Sequence, residues 1–289
     1  MKRNPKSSLV KELKNTTVLI TGGAGSVGSA LVKKLLEYPI YSVRVLDIDE
    51  HALFKLKRRT NDTRLRLLLG SILDKERIEM AGNKVDIIFH VAAVKNIEIS
   101  EYNPIETVDV NINGTINLIK MAIRQQPKKF ITISTDKAVE PSTLYGSTKQ
   151  LAEKLTSWAG GHVQSTKFST VRFGNVMESR GNVFEVWDEE MKNKKPLSVT
   201  DPDMKRYFFH LDEAVNFVLD CLLLTNHGEI FIPKMKSYNI KKLAMKISPH
   251  HKIIGRRPGE KLNEVLITKE ESKKAINKKN MWIIKNDHE

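Results

Sequence analysis

The stretch Thr17-Val-Leu-Ile-Thr21-Gly-Gly-Ala-Gly-Ser-Val-Gly28 decides the fold. It opens with a short apolar, β-branched run, which is typical of a buried strand. The glycines then follow both G-x-G-x-x-G and G-x-x-G-x-x-G spacing, and a helical pattern of apolar residues begins at Val27. In such a turn one glycine allows the tight bend, one admits a pyrophosphate and one lets the helix pack on the strand. We therefore predict a dinucleotide-binding turn formed by Gly22, Gly25, Ser26, Val27 and Gly28.

A second predicted strand, Ser42-Val-Arg-Val-Leu46, leads into Asp47, which lies 19 residues past Gly28. An acidic side chain at this distance binds the ribose hydroxyls of the adenosine. A carboxylate there repels a 2′-phosphate and so slightly favours NAD over NADP. The basic run at 57–59 lies one short helix further on and could partner a 2′-phosphate, so the cofactor is predicted as NAD or NADP.

Another apolar strand ends in Ser134-Thr-Asp-Lys137, and Tyr145 and Lys149 follow it. Residues four apart share one face of a helix, so the Lys149 ammonium can lie beside the Tyr145 phenol. A nearby cation favours the phenolate, which would let Tyr145 accept a hydroxyl proton near neutral pH, with Thr135 bonded to the same oxygen. The segment predicts a hydride-transfer site. The two residues after Thr135 add an acid and a base that a plain dehydrogenase does not need.

Strands and helices alternate along most of the chain, which predicts an α/β fold with a Rossmann-like, doubly wound parallel sheet. Ligands bind such a sheet at the carboxyl ends of its strands. The glycine turn, Asp47, His90, residues 134–137 and residues 174–175 all lie at predicted strand ends, so we expect them around one cleft. Further strands are predicted at 64–69, 85–89, 129–134, 169–173 and 229–232, and helices at 106–124, 145–158 and 208–224.

The alternation breaks after Asn175. We expect residues 1–176 and 207–232 to form the dinucleotide-binding domain. Residues 177–206 and 233–289 are then expected to form a small discontinuous substrate lobe.

Composition narrows the class of protein. The net charge of +14 comes from 48 Lys plus Arg against 34 Asp plus Glu. These charges are spread out, without a basic stripe interleaved with aromatic residues, so we expect an anionic substrate and no nucleic acid. The apolar runs are shorter than a bilayer span, so we expect no membrane partner. The single cysteine, Cys221, excludes an internal disulfide and favours a cytoplasmic location, and the histidines lack ligand spacing for a metal.

Taken together, these motifs resemble an extended short-chain dehydrogenase/reductase. More narrowly, the chain resembles the short, soluble, inverting UDP-N-acetylglucosamine 4,6-dehydratases of the polysaccharide-biosynthesis family. The resemblance runs from about residue 15 to residue 267. It is carried by residues 21–28, 90–95, 101–104, 134–137, 145–149, 172–176, 179–181, 228–233 and 257–261.

The resemblance implies a UDP-N-acetylhexosamine substrate and a mechanism. NAD(P)⁺ takes hydride from sugar C4 while Tyr145 takes the O4 proton. Lys137 then removes the C5 proton and Asp136 helps expel the C6 hydroxyl as water. Hydride returns to C6, and C5 is reprotonated on the opposite face. The tripeptide at 135–137 has the inverting form, since retaining relatives carry Thr-Asp-Glu there.

The resemblance also implies contacts for other residues. Cofactor contacts are expected from Ser71, which replaces an aspartate common in relatives, and from Lys95, Tyr145, Lys149 and Val176. Substrate contacts are expected from Lys95, Lys137, Asn175, Arg180, Val183, Arg256 and Arg257, the arginines suiting the UDP diphosphate. A homo-oligomer is expected, because relatives pack the helices at 106–124 and 145–158 between subunits.

Two other classes of function fit the same fold. A UDP-hexose 4-epimerase or a retaining 4,6-dehydratase would use Tyr145 and Lys149, but an epimerase would not need Lys137. A dinucleotide-sensing or RNA-binding protein would need none of the three.

Overall fold

The computed structural model of the protein describes residues 5–286. The strands are β1 Thr17–Thr21, β2 Ser42–Asp47, β3 Leu65–Leu69, β4 Ile87–His90, β5 Lys129–Thr135, β6 Lys167–Phe173, β7 Asn175–Val176, β8 Leu197–Val199, β9 Lys205–Phe209, β10 His227–Pro233, β11 Lys236–Asn239, β12 His251–Ile253, β13 Ile276–Asn277 and β14 Met281–Ile284. The helices are α1 Pro5–Leu13, α2 Ser26–Leu35, α3 Glu50–Thr60, α4 Lys75–Gly82, α5 Ile97–Tyr102, α6 Pro104–Val108, α7 Gly114–Gln125, α8 Leu144–His162, α9 Val183–Lys192, α10 Leu211–Leu224, α11 Ile240–Ile247 and α12 Lys269–Lys274. A π-helical turn at Asp109–Asn113 joins α6 to α7, and a 3₁₀ turn at Asp136–Ala138 follows β5.

The main sheet has the order β13-β14-β10-β6-β5-β4-β1-β2-β3. The strands from β10 to β3 run parallel, and β14 and β13 extend the sheet in antiparallel fashion. The order β3-β2-β1-β4-β5-β6 is that of the doubly wound dinucleotide-binding fold. The predicted fold class is therefore confirmed, and the carboxyl ends of β1, β4 and β5 lie side by side.

Apolar packing on both faces of this sheet explains the continuous hydrophobic runs of its strands. Side chains of β1 alternate between two clusters, with Val18 and Ile20 in one and Leu19 in the other. The first cluster is covered by α2 and α10, and the second by α4 and α7. A strand buried on both faces holds its carboxyl end firmly, and that end carries the glycine turn.

A third hydrophobic cluster lies outside the main sheet and contains Trp187, Leu197, Val199, Met204, Phe208, Ile240 and Ala244. It packs beside two small sheets, of order β11-β9-β7 and β12-β8. This smaller lobe draws on parts of both ranges that were expected to form it. Residues 276–284 correct that expectation, because β13 and β14 return to the main sheet.

The helix predicted at 208–224 is also corrected. Phe208 and Phe209 belong to β9, and the helix begins at Leu211. Packing explains the difference, since Phe208 lies against Phe184 of α9 and Phe209 against Phe173 of β6. The backbone N–H of His210 donates to the Glu213 carboxylate at 2.9 Å, a capping interaction that starts α10 after the strand.

Candidate active site

The glycine turn brings β1 and α2 into close contact. A Cβ at Gly28 would lie 2.4 Å from the carbonyl oxygen of Gly22, so residue 28 must be glycine for this packing. Gly25 precedes α2 without a side-chain cap, and the helix starts at Ser26, followed by the half-buried Val27. Uncapped N–H groups at a helix N-terminus are suited to bind phosphate oxygens. The turn therefore fits the pyrophosphate of a dinucleotide.

Asp47 lies at the end of β2, beside this turn. Its carboxylate accepts hydrogen bonds from the backbone N–H of Ala24 at 2.9 Å and of Asp49 at 3.1 Å. These bonds hold the acidic side chain at the strand end, where ribose hydroxyls are bound in this fold. Ser71 lies after the adjacent strand β3, and its hydroxyl accepts a hydrogen bond from the Leu73 N–H at 3.1 Å.

A loop from the smaller lobe approaches the glycine turn. The backbone N–H of Arg180 donates to the Ser26 hydroxyl at 3.0 Å, and the Lys95 ammonium donates to the Arg180 carbonyl at 2.6 Å. The Arg180 guanidinium lies 3.8 Å from the Asp49 carboxylate. Desolvation lowers the pKa of Lys95, and the charges of Lys137 and Arg180 lower it further against the attraction of Glu185. This edge of the cleft thus gathers positive charge for an anionic ligand.

The polar cluster after β5 is compact. Asp136 is fully buried, and its Oδ1 accepts hydrogen bonds from the Thr135 hydroxyl at 3.0 Å and from the Lys137 ammonium at 2.9 Å. Lys137 Nζ also donates to Asn175 Oδ1 at 3.4 Å. Among the described residues, Asp136 Oδ2 has no hydrogen-bond partner. Because leaving a buried carboxylate oxygen unpaired is costly, this atom is suited to bind a donor on a ligand.

Tyr145 and Lys149 are both buried on α8. Burial raises the pKa of the Tyr145 phenol, the charge of Asp136 raises it further, and a hydrogen bond with Thr135 lowers it. Burial lowers the pKa of Lys149 to about 8, against the attraction of Glu153. The Lys149 ammonium donates to the Ile133 carbonyl at 2.6 Å. The phenol pKa is thus raised rather than lowered, and Lys149 is not among the groups that shift it, which corrects the expectation that Lys149 lowers it.

Sequence reasoning missed Gly146, which directly follows Tyr145. A Cβ at this position would lie 2.3 Å from the Lys137 carbonyl oxygen. The absence of a side chain lets the start of α8 pack against the turn that carries Asp136 and Lys137. The signal in the sequence is a glycine within the first turn of a helix, where the N-cap Thr143 accepts a hydrogen bond from the Gly146 N–H at 3.1 Å.

Asn111 was also missed. It lies in the π-helical turn, a feature often found at functional sites. Its side chain bonds the backbone of Val94 at 2.8 and 3.0 Å and donates to the Thr148 hydroxyl at 3.0 Å. Asn111 thus fixes the strand-end segment before Lys95 against α8. An asparagine between Val110 and Ile112 within the predicted helix is the sequence signal for it.

His90, at the end of β4, lies beneath the cleft. Its ring nitrogens contact the hydroxyls of Thr21 at 2.8 Å and Thr115 at 2.9 Å. Burial lowers the pKa of His90 to about 3, with a further contribution from Lys149. The imidazole is therefore neutral and connects β1, β4 and α7.

The two arginines expected at a diphosphate lie on the rim of the site. Arg257 Nε is 2.9 Å from Glu98 Oε1, and Arg256 Nε is 3.5 Å from Asp201 Oδ2. Both side chains are about half exposed, at 51% and 50%. Their segment is tied to the catalytic side, because the Ser142 hydroxyl donates to the Gly259 carbonyl at 2.7 Å.

The remaining predicted contacts lie at the base of the smaller lobe. Val176 is buried in β7, and Val183 is the partly buried first residue of α9. Within the described part of the chain, no group of His, Cys, Asp and Glu side chains is arranged to hold a metal ion. In residues 5–286, no helix has the length and apolar character needed to cross a membrane.

Comparison with known proteins places the chain in a family. The model of the family described as polysaccharide biosynthesis protein matches residues 18–286. The chain belongs to this family. A UDP-N-acetylglucosamine 4,6-dehydratase (inverting) from Campylobacter jejuni is 39% identical over 273 residues, covering 92% of this chain and 82% of that protein. The predicted relationship to the extended short-chain dehydrogenases/reductases and the prediction of an enzyme are thereby confirmed.

Other relatives carry different names. An uncharacterized membrane protein of Methanocaldococcus jannaschii is 44% identical over 286 residues, covering 94% of this chain and 86% of that protein. Rickettsia rickettsii has a UDP-glucose 4-epimerase that is 34% identical, covering 90% of this chain and 80% of that protein. The solved structure of Pen from Bacillus thuringiensis superimposes with a TM-score of 0.91 at 35% identity, covering 95% of this chain and 89% of that chain.

Proposed function

We propose that the protein is a UDP-N-acetylglucosamine 4,6-dehydratase that inverts C5. The observation that carries the proposal is the direct contact of Asp136 with Lys137 beside Thr135 and Tyr145, at the carboxyl end of β5. Loss of water from a sugar needs an acid for the leaving hydroxyl and a base for the C5 proton. This pair offers both next to a phenol that can act on a neighbouring hydroxyl.

A nicotinamide dinucleotide fits the cleft, since the turn closed by Gly28 leaves no room for a side chain and Asp47 is fixed beside it. When bound, this cofactor supplies the transient oxidation at C4 by accepting a hydride and returning it to C6. The glycine turn and the N-terminus of α2 would hold its pyrophosphate, and Asp47 its ribose. The Asp47 carboxylate would repel a 2′-phosphate, so we propose NAD.

In the first step, Tyr145 takes the O4 proton, with Thr135 bonded to the same oxygen. Because burial raises the pKa of the phenol, the tyrosine needs positive charge nearby to act as a base. Burial lowers the pKa of Lys149 to about 8, which would let this lysine supply the positive charge and exchange a proton with the phenol.

Elimination then uses the Asp136–Lys137 pair. In the structure the pair has the geometry of a carboxylate and an ammonium, 2.9 Å apart. Transfer of one proton along this hydrogen bond gives a carboxylic acid and a free amine without changing the net charge. The amine of Lys137 can then take the C5 proton while Asp136 gives its proton to the departing C6 hydroxyl. The pair returns to the charged form as water leaves.

Cations around the cleft would bind the UDP moiety. Lys95 contacts Arg180, which lies against the glycine turn, and Arg256 and Arg257 are half exposed beside Asp201 and Glu98. Guanidinium groups form paired hydrogen bonds with phosphate oxygens. The acidic partners Glu98 and Asp201 would have to release the two rim arginines when a diphosphate binds.

The test is incubation of the purified protein with UDP-N-acetylglucosamine in D₂O, followed by proton NMR. The expected product is a 4-keto-6-deoxy sugar with deuterium at C5 and inverted configuration there. Retained configuration at C5 would assign a retaining dehydratase. No turnover of any UDP-sugar would contradict the proposal.

The second candidate is a UDP-hexose 4-epimerase, which the 34% identical Rickettsia epimerase favours. An epimerase would use Tyr145 and Lys149 and would release a C4 epimer that keeps its C6 hydroxyl. The same NMR spectrum distinguishes the two, because only the dehydratase product has a C6 methyl signal.

We also propose that the protein forms a homo-oligomer in the cytoplasm. Exposed apolar side chains lie on the mutually packed helices α5, α6 and α8, namely Tyr102, Ile105, Leu151 and Trp158. Light scattering of the purified protein should then give a mass that is a multiple of the chain mass. A monomer at micromolar concentration would contradict this proposal.

A further inference from the structure

Glu264 is a buried acidic residue that the proposed mechanism does not use. Its side chain belongs to the segment after the rim arginines and is only 7% exposed. Glu264 Oε2 makes no hydrogen bond with any residue that the structure describes. Lys261 Nζ lies 4.0 Å from this oxygen, which is beyond hydrogen-bond distance. A buried carboxylate oxygen in this situation needs a donor, because leaving it unpaired destabilises the fold.

Glu264 and Lys137 line the same small cavity. The cavity has a volume of about 10 Å³, which is close to the minimum that one water molecule requires. The other polar side chains in its wall are those of Ser142, Thr143, Glu260 and Lys261. A water here would find the two to four polar partners that a buried water needs. Such a water would share the cavity with both Lys137 and Glu264.

Charged groups face Glu264 from three segments. Lys137 and Asp136 face it from the turn after β5, Arg206 from β9, and Lys261 from its own segment. Burial raises the pKa of Glu264; Lys137 lowers it, Asp136 raises it, and Arg206 and Lys261 lower it. Arg206 is already paired with Glu260 at 3.3 Å. The ionisation of Glu264 is therefore coupled to the catalytic pair.

We propose that Glu264 exchanges a proton with Lys137 through one water in this cavity. The inference rests on the proposed function, in which Lys137 carries the proton taken from C5 once water has left; Glu264 accepts that proton and returns it before the next turnover. One N–H bond of the Lys137 ammonium breaks as its proton passes to the water. An O–H bond of that water breaks in turn, and its proton passes to Glu264 Oε2. Lys137 becomes an amine, Glu264 becomes a carboxylic acid, and the water is regenerated. Glu264 thus acts on the reaction only through Lys137, as a positioning residue for the proton that Lys137 carries.

The kinetic test compares Glu264→Gln with wild type on UDP-N-acetylglucosamine. Glutamine keeps the shape but cannot take the proton, so kcat should fall roughly 10- to 100-fold with little change in KM. Because the relay needs the ionised carboxylate, kcat of the wild type should rise with pH through the pKa of Glu264. This rising part of the pH profile, the Glu264 limb, should be absent in Glu264→Gln. Glu264→Asp should restore part of kcat and the limb. Glu270→Gln, which removes a surface charge nearby in sequence, should behave as wild type.

A second measurement does not depend on turnover. Proteins labelled with ¹³C at lysine Cε are titrated by NMR, and the Lys137 signal is assigned from its loss in Lys137→Arg. In wild type, the Lys137 signal should shift in the pH range where Glu264 titrates, and Glu264→Gln should abolish that shift.

Unchanged kcat and pH profile in Glu264→Gln, or an identical Lys137 titration in both proteins, overturns the relay. A rise in KM alone also overturns it, since Glu264 would then be a sugar contact. If wild type shows the coupled titration but converts no UDP-sugar, the proposed function fails and the catalytic use of the relay fails with it. If wild type forms the product while the coupling is missing, only the relay is wrong.

Discussion

The two halves of the candidate site are held in place by different kinds of structure. On the chemical side, Asp136 is fully buried at the end of β5 and hydrogen-bonded to its neighbours at 2.9 and 3.0 Å. On the diphosphate side, Arg256 and Arg257 lie on a loop, about half exposed, and are bound to Asp201 and Glu98. The first half is held by hydrogen bonds at the strand end, whereas under the proposed function the second would exchange its acidic partners for a diphosphate.

This difference fits what each half has to do. Acid and base groups act best when their positions need no reorganisation during the reaction, and parallel strand ends give that rigidity. A nucleotide sugar, however, must enter and leave, and loops of low local stability allow it. We therefore expect substitutions in the strand-end half to reduce catalysis and those in the rim half to alter substrate affinity.

The largest effect is expected for Lys137→Ala. Loss of a general base lowers rates by about 10² to 10⁴, so kcat for the 4-keto-6-deoxy product should fall roughly 10³-fold. NMR of the product measures kcat, and calorimetry should find that UDP-N-acetylglucosamine still binds. Lys75→Ala, an exposed lysine at the start of α4, serves as the control. Full activity in Lys137→Ala would show that another group is the base, and it would contradict the expectation that substitutions in the strand-end half reduce catalysis.

The second largest effect is expected for Gly28→Ala, which changes the strand-end half through packing alone. The new Cβ would lie 2.4 Å from the Gly22 carbonyl oxygen, and overpacking of this kind costs about 1–3 kcal/mol. We expect the Kd for NAD, measured by calorimetry, to rise at least about tenfold. Gly25→Ala places its Cβ at 3.2 Å from the same oxygen and should have a smaller effect. Equal effects of the two substitutions would show that packing does not set cofactor affinity.

The same contrast explains what could be predicted from the sequence. The glycine turn, Asp47 and the residues around Tyr145 are local motifs attached to apolar strands, so their place at the strand ends follows from the fold class. Phe208 was misassigned because a short run of aromatic residues fits either a strand or the start of a helix, and only the packing with Phe184 decides.

Contacts between residues that are far apart in the sequence could not be predicted from a local motif. Glu264 meets the Lys137 cavity only once the smaller lobe has folded over the sheet, and Gly146 matters only because the Lys137 carbonyl lies against it. Strand β14 pairs with β10 through a register that a short apolar run does not reveal. The raised pKa of Tyr145 likewise depends on burial, which spacing along a helix does not measure.

The third prediction concerns the free energy of unfolding and how much the burial of Lys149 in the strand-end half lowers it. The pKa of Lys149 is about 8 in the folded protein and ordinarily 10.5, so the unfolded chain binds more protons between these values. Folding stability should therefore rise with pH across this window, the penalty from Lys149 being largest below pH 8. The free energy of unfolding, measured with urea, should increase in wild type relative to Lys149→Met by about 2 kcal/mol from roughly pH 7.5 to roughly pH 9.5. A pH-independent difference would mean that the ammonium is not destabilised.

The smallest effect is expected on the rim, where Glu98 competes with the diphosphate for Arg257. An exposed ion pair contributes about 0–1 kcal/mol, so Glu98→Gln should lower KM for UDP-N-acetylglucosamine by at most about fivefold, with kcat unchanged. Arg257→Ala should act in the opposite direction and raise KM about tenfold, because a charged hydrogen bond to phosphate is lost. Glu76→Gln, exposed on α4, controls for the change in net charge. Since surface pairs are screened by salt, the gain in Glu98→Gln should shrink as ionic strength rises. A fall in kcat in either rim variant would contradict the division between a fixed chemical half and an exchanging rim.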